Sequence, residues 1–169
     1  IRLGRATIAV AGGMESMSQV PHMLDRLRDG YRLGDGQVVD LMYRDGFQCP
    51  LADMIMGETA ELLAQERSIS REQQDAFALA SQEKAAAALD ADRFACELVP
   101  VCVPGRKGDT VVEADEHPRP GSSLEKLGKL APVFDRENGT VSAGNSSGIT
   151  DGAAALVLMT AAEAERRGI

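Results

Sequence analysis

The sequence predicts an α/β protein in which a strand is followed by a long mixed insert, then by a second strand and a helix. Three observations carry this reading. The short apolar run Ala6-Thr7-Ile8-Ala9-Val10-Ala11 ends at Gly12-Gly13, which fits a buried strand feeding a tight turn. Ser70 followed three residues later by Gln73 is a capping box that opens a long alanine-rich helix. Finally, seventeen residues from Gly139 to Ala155, almost without bulk, run into the apolar segment Leu156-Val157-Leu158-Met159, which reads as the second strand.

The elements between follow in order. From Ser16 to about Gly46 the signals are Pro, Gly, Asp and Arg, relieved by Val38-Val39-Asp40-Leu41-Met42-Tyr43, which reads as one short helix. An extended segment of this length with little periodicity serves contacts rather than a core. One helix is predicted from about Met56 to Glu66. A second, capped by Ser70, runs through Phe77, Ala80 and Ala85-Ala86-Ala87-Ala88 to about Leu89, its alanines having the best intrinsic helix propensity. Phe94 to Val103 and Thr110 to Glu113 read as two strands joined by Pro104-Gly105-Arg106-Lys107-Gly108, a hairpin with a basic tip. Ser122 to Leu130 reads as a short helix, and Ala161 to Arg167 as an amphipathic one after the last strand.

Composition and charge exclude several functions. A net charge of −8 argues against a nucleic-acid surface, which needs a clustered basic face. No apolar run approaches the roughly 18 residues of a membrane span. Ile1-Arg2-Leu3-Gly4-Arg5-Ala6 lacks the apolar stretch of a signal peptide. The three cysteines, Cys49, Cys96 and Cys102, match neither a redox pair nor a zinc quartet, and they fit a reducing cytoplasm. Cys96 and Cys102 flank a predicted strand, where cysteine acts as a small buried hydrophobe. Cys49 precedes Pro50 in a loop with no base near it in sequence. His22 and His117 each adjoin a proline and read as solvated loop residues. No metal ligand set and no complete catalytic set is present.

The small-residue stretch has two readings. As a flexible linker it would need only its composition. As a ligand-binding segment it uses small side chains to let backbone approach a bound molecule. Val141, Ile149 and the apolar run after them are spaced like a folded segment, and no Gly-Lys-Ser/Thr follows to make a P-loop.

Gly139-Thr140-Val141-Ser142-Ala143-Gly144-Asn145-Ser146-Ser147-Gly148-Ile149-Thr150-Asp151-Gly152 resembles a signature of the thiolases, enzymes that cleave or form 3-ketoacyl-CoA thioesters. Gly12-Gly13-Met14-Glu15-Ser16-Met17-Ser18 is similar to their GG-x-ES-M-S segment. Met56-Gly57-Glu58-Thr59-Ala60-Glu61 and Ser70-Arg71-Glu72-Gln73-Gln74-Asp75 resemble their two-helix stretch, and Gly105 to Asp109 and Asp115 to Arg119 continue the likeness in the same order. The family's nucleophilic cysteine, its Asn-Glu-Ala-Phe segment, its Gly-His-Pro histidine and its second cysteine have no counterpart here, so this reads as an internal piece without a catalytic residue.

The resemblance implies part of a thiolase half-domain, a mixed sheet with helices, carrying a large α+β loop-domain insertion. Residues 1–16 would form a strand and turn of the half-domain. Residues 17–138 would form the loop domain with the coenzyme A pocket and an oligomerisation segment, and residues 139–169 would return to the half-domain. It also implies a homodimer or homotetramer, no permanently bound cofactor, and coenzyme A or acyl-CoA as substrate. Ser147 would hydrogen-bond the pantetheine arm beside the small Ala143, Phe134 would form an apolar wall, and Arg119 would meet the adenine end. Met56 and Phe47 would line the thiol and acyl end. Such a slot needs apolar walls, a hydroxyl and a guanidinium that can stack on a purine or pair a phosphate. At Arg106-Lys107 a solvated turn is the simpler reading. In acetoacetyl-CoA-type members a histidine precedes the Met-Gly pair; Ile55 stands there in this chain and leans the expectation towards longer acyl chains.

Overall fold

The computed structural model describes residues 1–169. The chain divides into two units, one of residues 1–47 with 149–169 and the other of residues 48–148.

In the first unit, β1 (Ile8–Glu15) and β8 (Gly152–Met159) form an antiparallel ribbon in unbroken register from Ile8 opposite Met159 to Glu15 opposite Gly152. Gly12 and Gly13 do not turn the chain as the sequence predicted. They continue the strand opposite Ala155 and Ala154, so residues without bulk face one another across the ladder. After β1 a 3-10 turn, Met17–Gln19, is tied back by Asp151, whose carboxylate accepts the Ser18 amide at 2.8 Å and the Ser18 hydroxyl at 2.7 Å.

The helix predicted at Val38–Tyr43 begins only after Asp40. Val38–Asp40 is β3, paired antiparallel with β2 (His22–Leu24), as suits adjacent β-branched residues. The Asp40 carboxylate then accepts the Met42 amide at 2.9 Å and starts a π-helical turn, Met42–Phe47. After β8, Thr160 caps α4 (Ala161–Arg167), and Gly168 ends it in the left-handed region at φ 74°.

The second unit begins with a minimal hairpin, β4 (Gln48–Cys49) against β5 (Met54–Ile55). It leads directly into α1 (Met56–Arg67), where Glu58 reaches back to accept the Ile55 amide at 2.9 Å. The predicted capping box is present at α2 (Arg71–Asp90): the Ser70 hydroxyl accepts the Gln73 amide at 3.3 Å and Gln73 accepts the Ser70 amide at 2.8 Å.

The strand predicted from Phe94 shortens to β6 (Val101–Val103), paired with β7 (Thr110–Val112). Residues before it fold into turns instead, with the Leu98 amide on the Phe94 carbonyl at 3.1 Å, and Pro100 has no amide to lend a ladder. Cys96 and Cys102 are consequently exposed, not buried as expected. A short helix, α3 (Leu124–Gly128), is capped by Ser123. The core of this unit is small: Ala64 of α1, Leu127 of α3 and Val141 are its buried apolar residues, joined by buried Asp75 and Ser142.

Candidate functional site

Residues 139–148 are held within the second unit by side chains of α1 and α2. Glu61 projects from α1 and receives the Thr140 amide at 2.8 Å, the Thr140 hydroxyl at 2.7 Å and the Val141 amide at 2.8 Å. Burial pushes the Glu61 carboxyl up, but the hydrogen bonds from the Thr140 hydroxyl and the Val141 and Thr140 amides outweigh it and leave the group below its ordinary value. From α2, Gln74 donates to the Thr140 hydroxyl at 2.8 Å. Asp75 accepts from Asn145 Nδ2 at 3.0 Å on one oxygen and from Arg71 Nε at 2.8 Å on the other.

Asn145 is the centre of a turn. Its Oδ1 accepts the Ser142 amide at 2.7 Å, its Nδ2 also donates to the Thr140 carbonyl at 2.9 Å, and its own amide donates to the Ser142 carbonyl at 3.3 Å. Such closure rules out the linker reading of these residues: each anchored donor and acceptor costs the freedom a tether would keep. Beneath the turn, Leu127 and Leu130 methyl groups come so close to Gly144 that a side chain there would meet them at 2.5 and 2.6 Å.

Ala143 and Ser147 are exposed on this anchored segment. Gly148, next to Ser147, has the His117 ring where a side chain would begin, at 2.6 Å. His117 is an exposed loop residue, as its sequence suggested, and its ring lies on the Gly148 backbone at the end of the turn. Arg119 is itself fixed through its backbone, its amide donating to Gln82 of α2 at 2.9 Å and its carbonyl accepting the Ser122 hydroxyl at 2.7 Å. The guanidinium is left without an ion-pair partner and exposed.

At the apolar end, the Phe134 ring lies directly against the backbone of Gly57, in the space any larger residue would fill. Met56 and Phe134 are therefore neighbours, both partly exposed. Phe47 belongs to the first unit, where it ends the π-helical turn with its ring edge-to-face against Tyr43, centroids 5.5 Å apart. Five of the six predicted residues, Ser147, Ala143, Phe134, Arg119 and Met56, belong to the second unit. No group of His, Cys, Asp or Glu side chains is placed to hold a metal ion.

Sequence reasoning missed Glu61, Asp75 and Asn145, the polar side chains that fix the segment, and His117, which packs on it. The capping box marked where α2 begins, but nothing local to Asp75 signals a partner 70 residues away.

Residues 1–162 match the family described as thiolase, N-terminal domain. Among curated proteins, an acetyl-CoA acetyltransferase of Shinella zoogloeoides is 53% identical over 169 residues, covering all of this chain and 43% of that protein. One from Escherichia coli is 52% identical over 170 residues, with 43% of its own length covered. Among solved structures, the acetyl-CoA acetyltransferase from Syntrophomonas wolfei superposes with a TM-score of 0.88 at 46% identity, covering 98% of this chain and 41% of that one. Human mitochondrial 3-ketoacyl-CoA thiolase gives a TM-score of 0.86 at 38% identity, covering 98% and 42%. The chain thus spans less than half the length of the relatives it matches, and across nearly all of its own length it belongs to the thiolase family.

Proposed function

We propose that the chain is the coenzyme-A-binding portion of an acyl-CoA C-acyltransferase, a thiolase that cleaves or forms 3-ketoacyl-CoA through an acyl-cysteine intermediate. The observation that carries the reading is the anchored segment 139–148, with exposed Ala143 and Ser147 on it and the His117 ring, two residues before the backbone-fixed Arg119, lying on Gly148. A hydroxyl suits the amides of a pantetheine arm, and a free guanidinium suits the anionic nucleotide end. Because the chain carries a net charge of −8, an anionic ligand needs such a local cation. Met56 and Phe134 supply the apolar wall within the second unit.

In thiolysis a cysteine thiolate attacks the 3-keto carbon, the bond between C2 and C3 breaks, and acetyl-CoA leaves after protonation at C2. A coenzyme A thiol then takes the acyl group from the cysteine. The cysteine and the base for these steps lie outside the residues assigned here, so this chain's part is to hold the coenzyme. We place residues 17–138 in the loop domain, the protein in the cytoplasm, and its assembly as a homodimer or homotetramer.

The test is thiolysis of 3-ketoacyl-CoAs of increasing chain length by the full-length protein, with coenzyme A affinity measured alongside. Turnover weakened by Ser147→Ala through the KM for coenzyme A is the expected result. Coenzyme A binding without turnover would replace it with a non-catalytic acyl-CoA carrier, and association without binding would leave an oligomerisation module. Ile55 leans the substrate towards longer chains, and a strict preference for acetoacetyl-CoA would remove that lean.

A further inference from the structure

Asp75 is one of two buried polar residues in the chain, 4% exposed, and its carboxylate is divided between two tasks. One oxygen takes the Asn145 amide group, which closes the Ser142–Asn145 turn. The other takes Arg71, whose Nη2 donates to the carbonyls of Leu127 at 2.7 Å and Leu130 at 2.9 Å, at and just beyond the end of α3. Those two leucines are the ones whose methyl groups press on Gly144 in the same turn. The carboxylate therefore acts on both sides of the turn, through an amide on one side and through α3 on the other. An ion pair this deep contributes little net stability compared with apolar residues of the same size, and what it supplies is geometry.

We propose that Asp75 is a positioning residue for the coenzyme A site, orienting the Asn145 amide and thereby the turn that presents Ala143 and Ser147. The assignment rests on the reading that residues 139–148 meet coenzyme A. An amide at position 75 could accept from Asn145 or face Arg71, but its NH2 group cannot accept from either. A carboxylate at position 145 would instead stand about 3 Å from that of Asp75, and two such groups cannot both ionise without strain. The charged groups facing that position are Asp75 and Arg71 from α2, and Glu61 from α1 through Thr140. From α3, Lys126 turns to the Gly121 carbonyl and Lys129 to Glu125.

The experiment uses the full-length protein with coenzyme A as the probe, by calorimetry and by thiolysis kinetics. Asp75→Asn is expected to raise the KM for coenzyme A about tenfold, the loss of one charge-assisted hydrogen bond, with kcat at saturating coenzyme A changed less than about twofold. Asn145→Asp, which covers the case of an Asp75 variant that does not fold, is expected to bind coenzyme A best at acid pH, where a proton on either carboxylate relieves their repulsion. It should lose affinity progressively towards about pH 8, while wild type shows no such loss. A purely structural role would shift the unfolding midpoint with pH but leave the affinity of the folded protein unchanged, so the two are measured together. If Ser147→Ala weakens binding but Asn145→Asp shows a wild-type pH profile, the positioning role is wrong and the coenzyme A reading stands. If wild type does not bind coenzyme A, or binds it indifferently to Ser147→Ala, the site reading itself fails and the inference with it.

Discussion

In the β1–β8 ribbon the backbone makes the structure and the side chains are left over; in residues 139–148 side chains make it and the backbone is irregular. The ribbon pairs eight residues with eight, yet Val10 is 72% exposed and Leu156 67%. Two strands alone cannot bury both faces, and both outer edges keep unpaired backbone groups. The segment forms only one isolated bridge, Pro132 with Ser142, but Val141 and Ser142 are buried and every buried side-chain polar atom has a partner. Periodic hydrogen bonding thus secures a strand without securing its burial, whereas a few long-range polar side chains can secure a loop that no local pattern predicts.

The largest effect expected from breaking this contrast is at Arg71. Arg71→Met strands the Asp75 carboxylate in the interior and frees the Leu127 and Leu130 carbonyls, so stability in the full-length protein should fall by about 3–5 kcal/mol. A urea unfolding midpoint measures it, and a loss under 1 kcal/mol would show that water reaches Asp75. Gly57→Ala comes next. Its methyl group would occupy the place of the Phe134 ring, and displacing that ring should cost about 1–3 kcal/mol, read by the same unfolding curve. Val141→Thr, which places a hydroxyl among the buried apolar groups, belongs in the same range of about 1–3 kcal/mol.

A pH series isolates Glu61. Its folded-state carboxyl lies below the ordinary value of 4.5, so its hydrogen bonds contribute fully above that pH and their contribution is lost as pH falls through the folded value. Glu61→Gln should therefore be less stable than wild type at neutral pH, and the difference should shrink on acidification below 4.5. A gap of constant size from neutral pH to about pH 3 would mean that Glu61 acts by packing and not by charge.

What was legible in the sequence follows the same division. The capping box at Ser70, the leucine spacing of Ser122–Leu130 and the amphipathic pattern of Ala161–Arg167 are local signals, and each marked a helix that is present. The family likeness agrees with the domain matched over residues 1–162. The helix expected at Val38–Tyr43 failed in its first half because Val38–Asp40 pairs with His22–Leu24, and that pairing leaves no trace in residues 38–43 alone. The strand expected from Phe94 failed at Pro100, a signal that was present and should have shortened it. At the site, residue types could be placed on positions through the resemblance, but the Glu61 and Asp75 contacts span 79 and 70 residues and are a property of the fold.

The smallest expected effect sharpens the comparison most. Val157→Thr makes on β8 the change that Val141→Thr makes in the second unit, exchanging a methyl group for a hydroxyl at constant shape. Val157 is 64% exposed and Val141 6%, so the hydroxyl at 157 keeps its water and the one at 141 does not. Threonine also suits a strand as well as valine does. Val157→Thr should therefore alter the stability of the 169-residue chain by no more than about 0.5 kcal/mol. The same pair of substitutions in the full-length protein then reads how the ribbon is completed. If Val157→Thr there costs as much as Val141→Thr, the exposed face of β8 is covered by other protein; if it stays near zero, the ribbon faces solvent in the full-length protein as well.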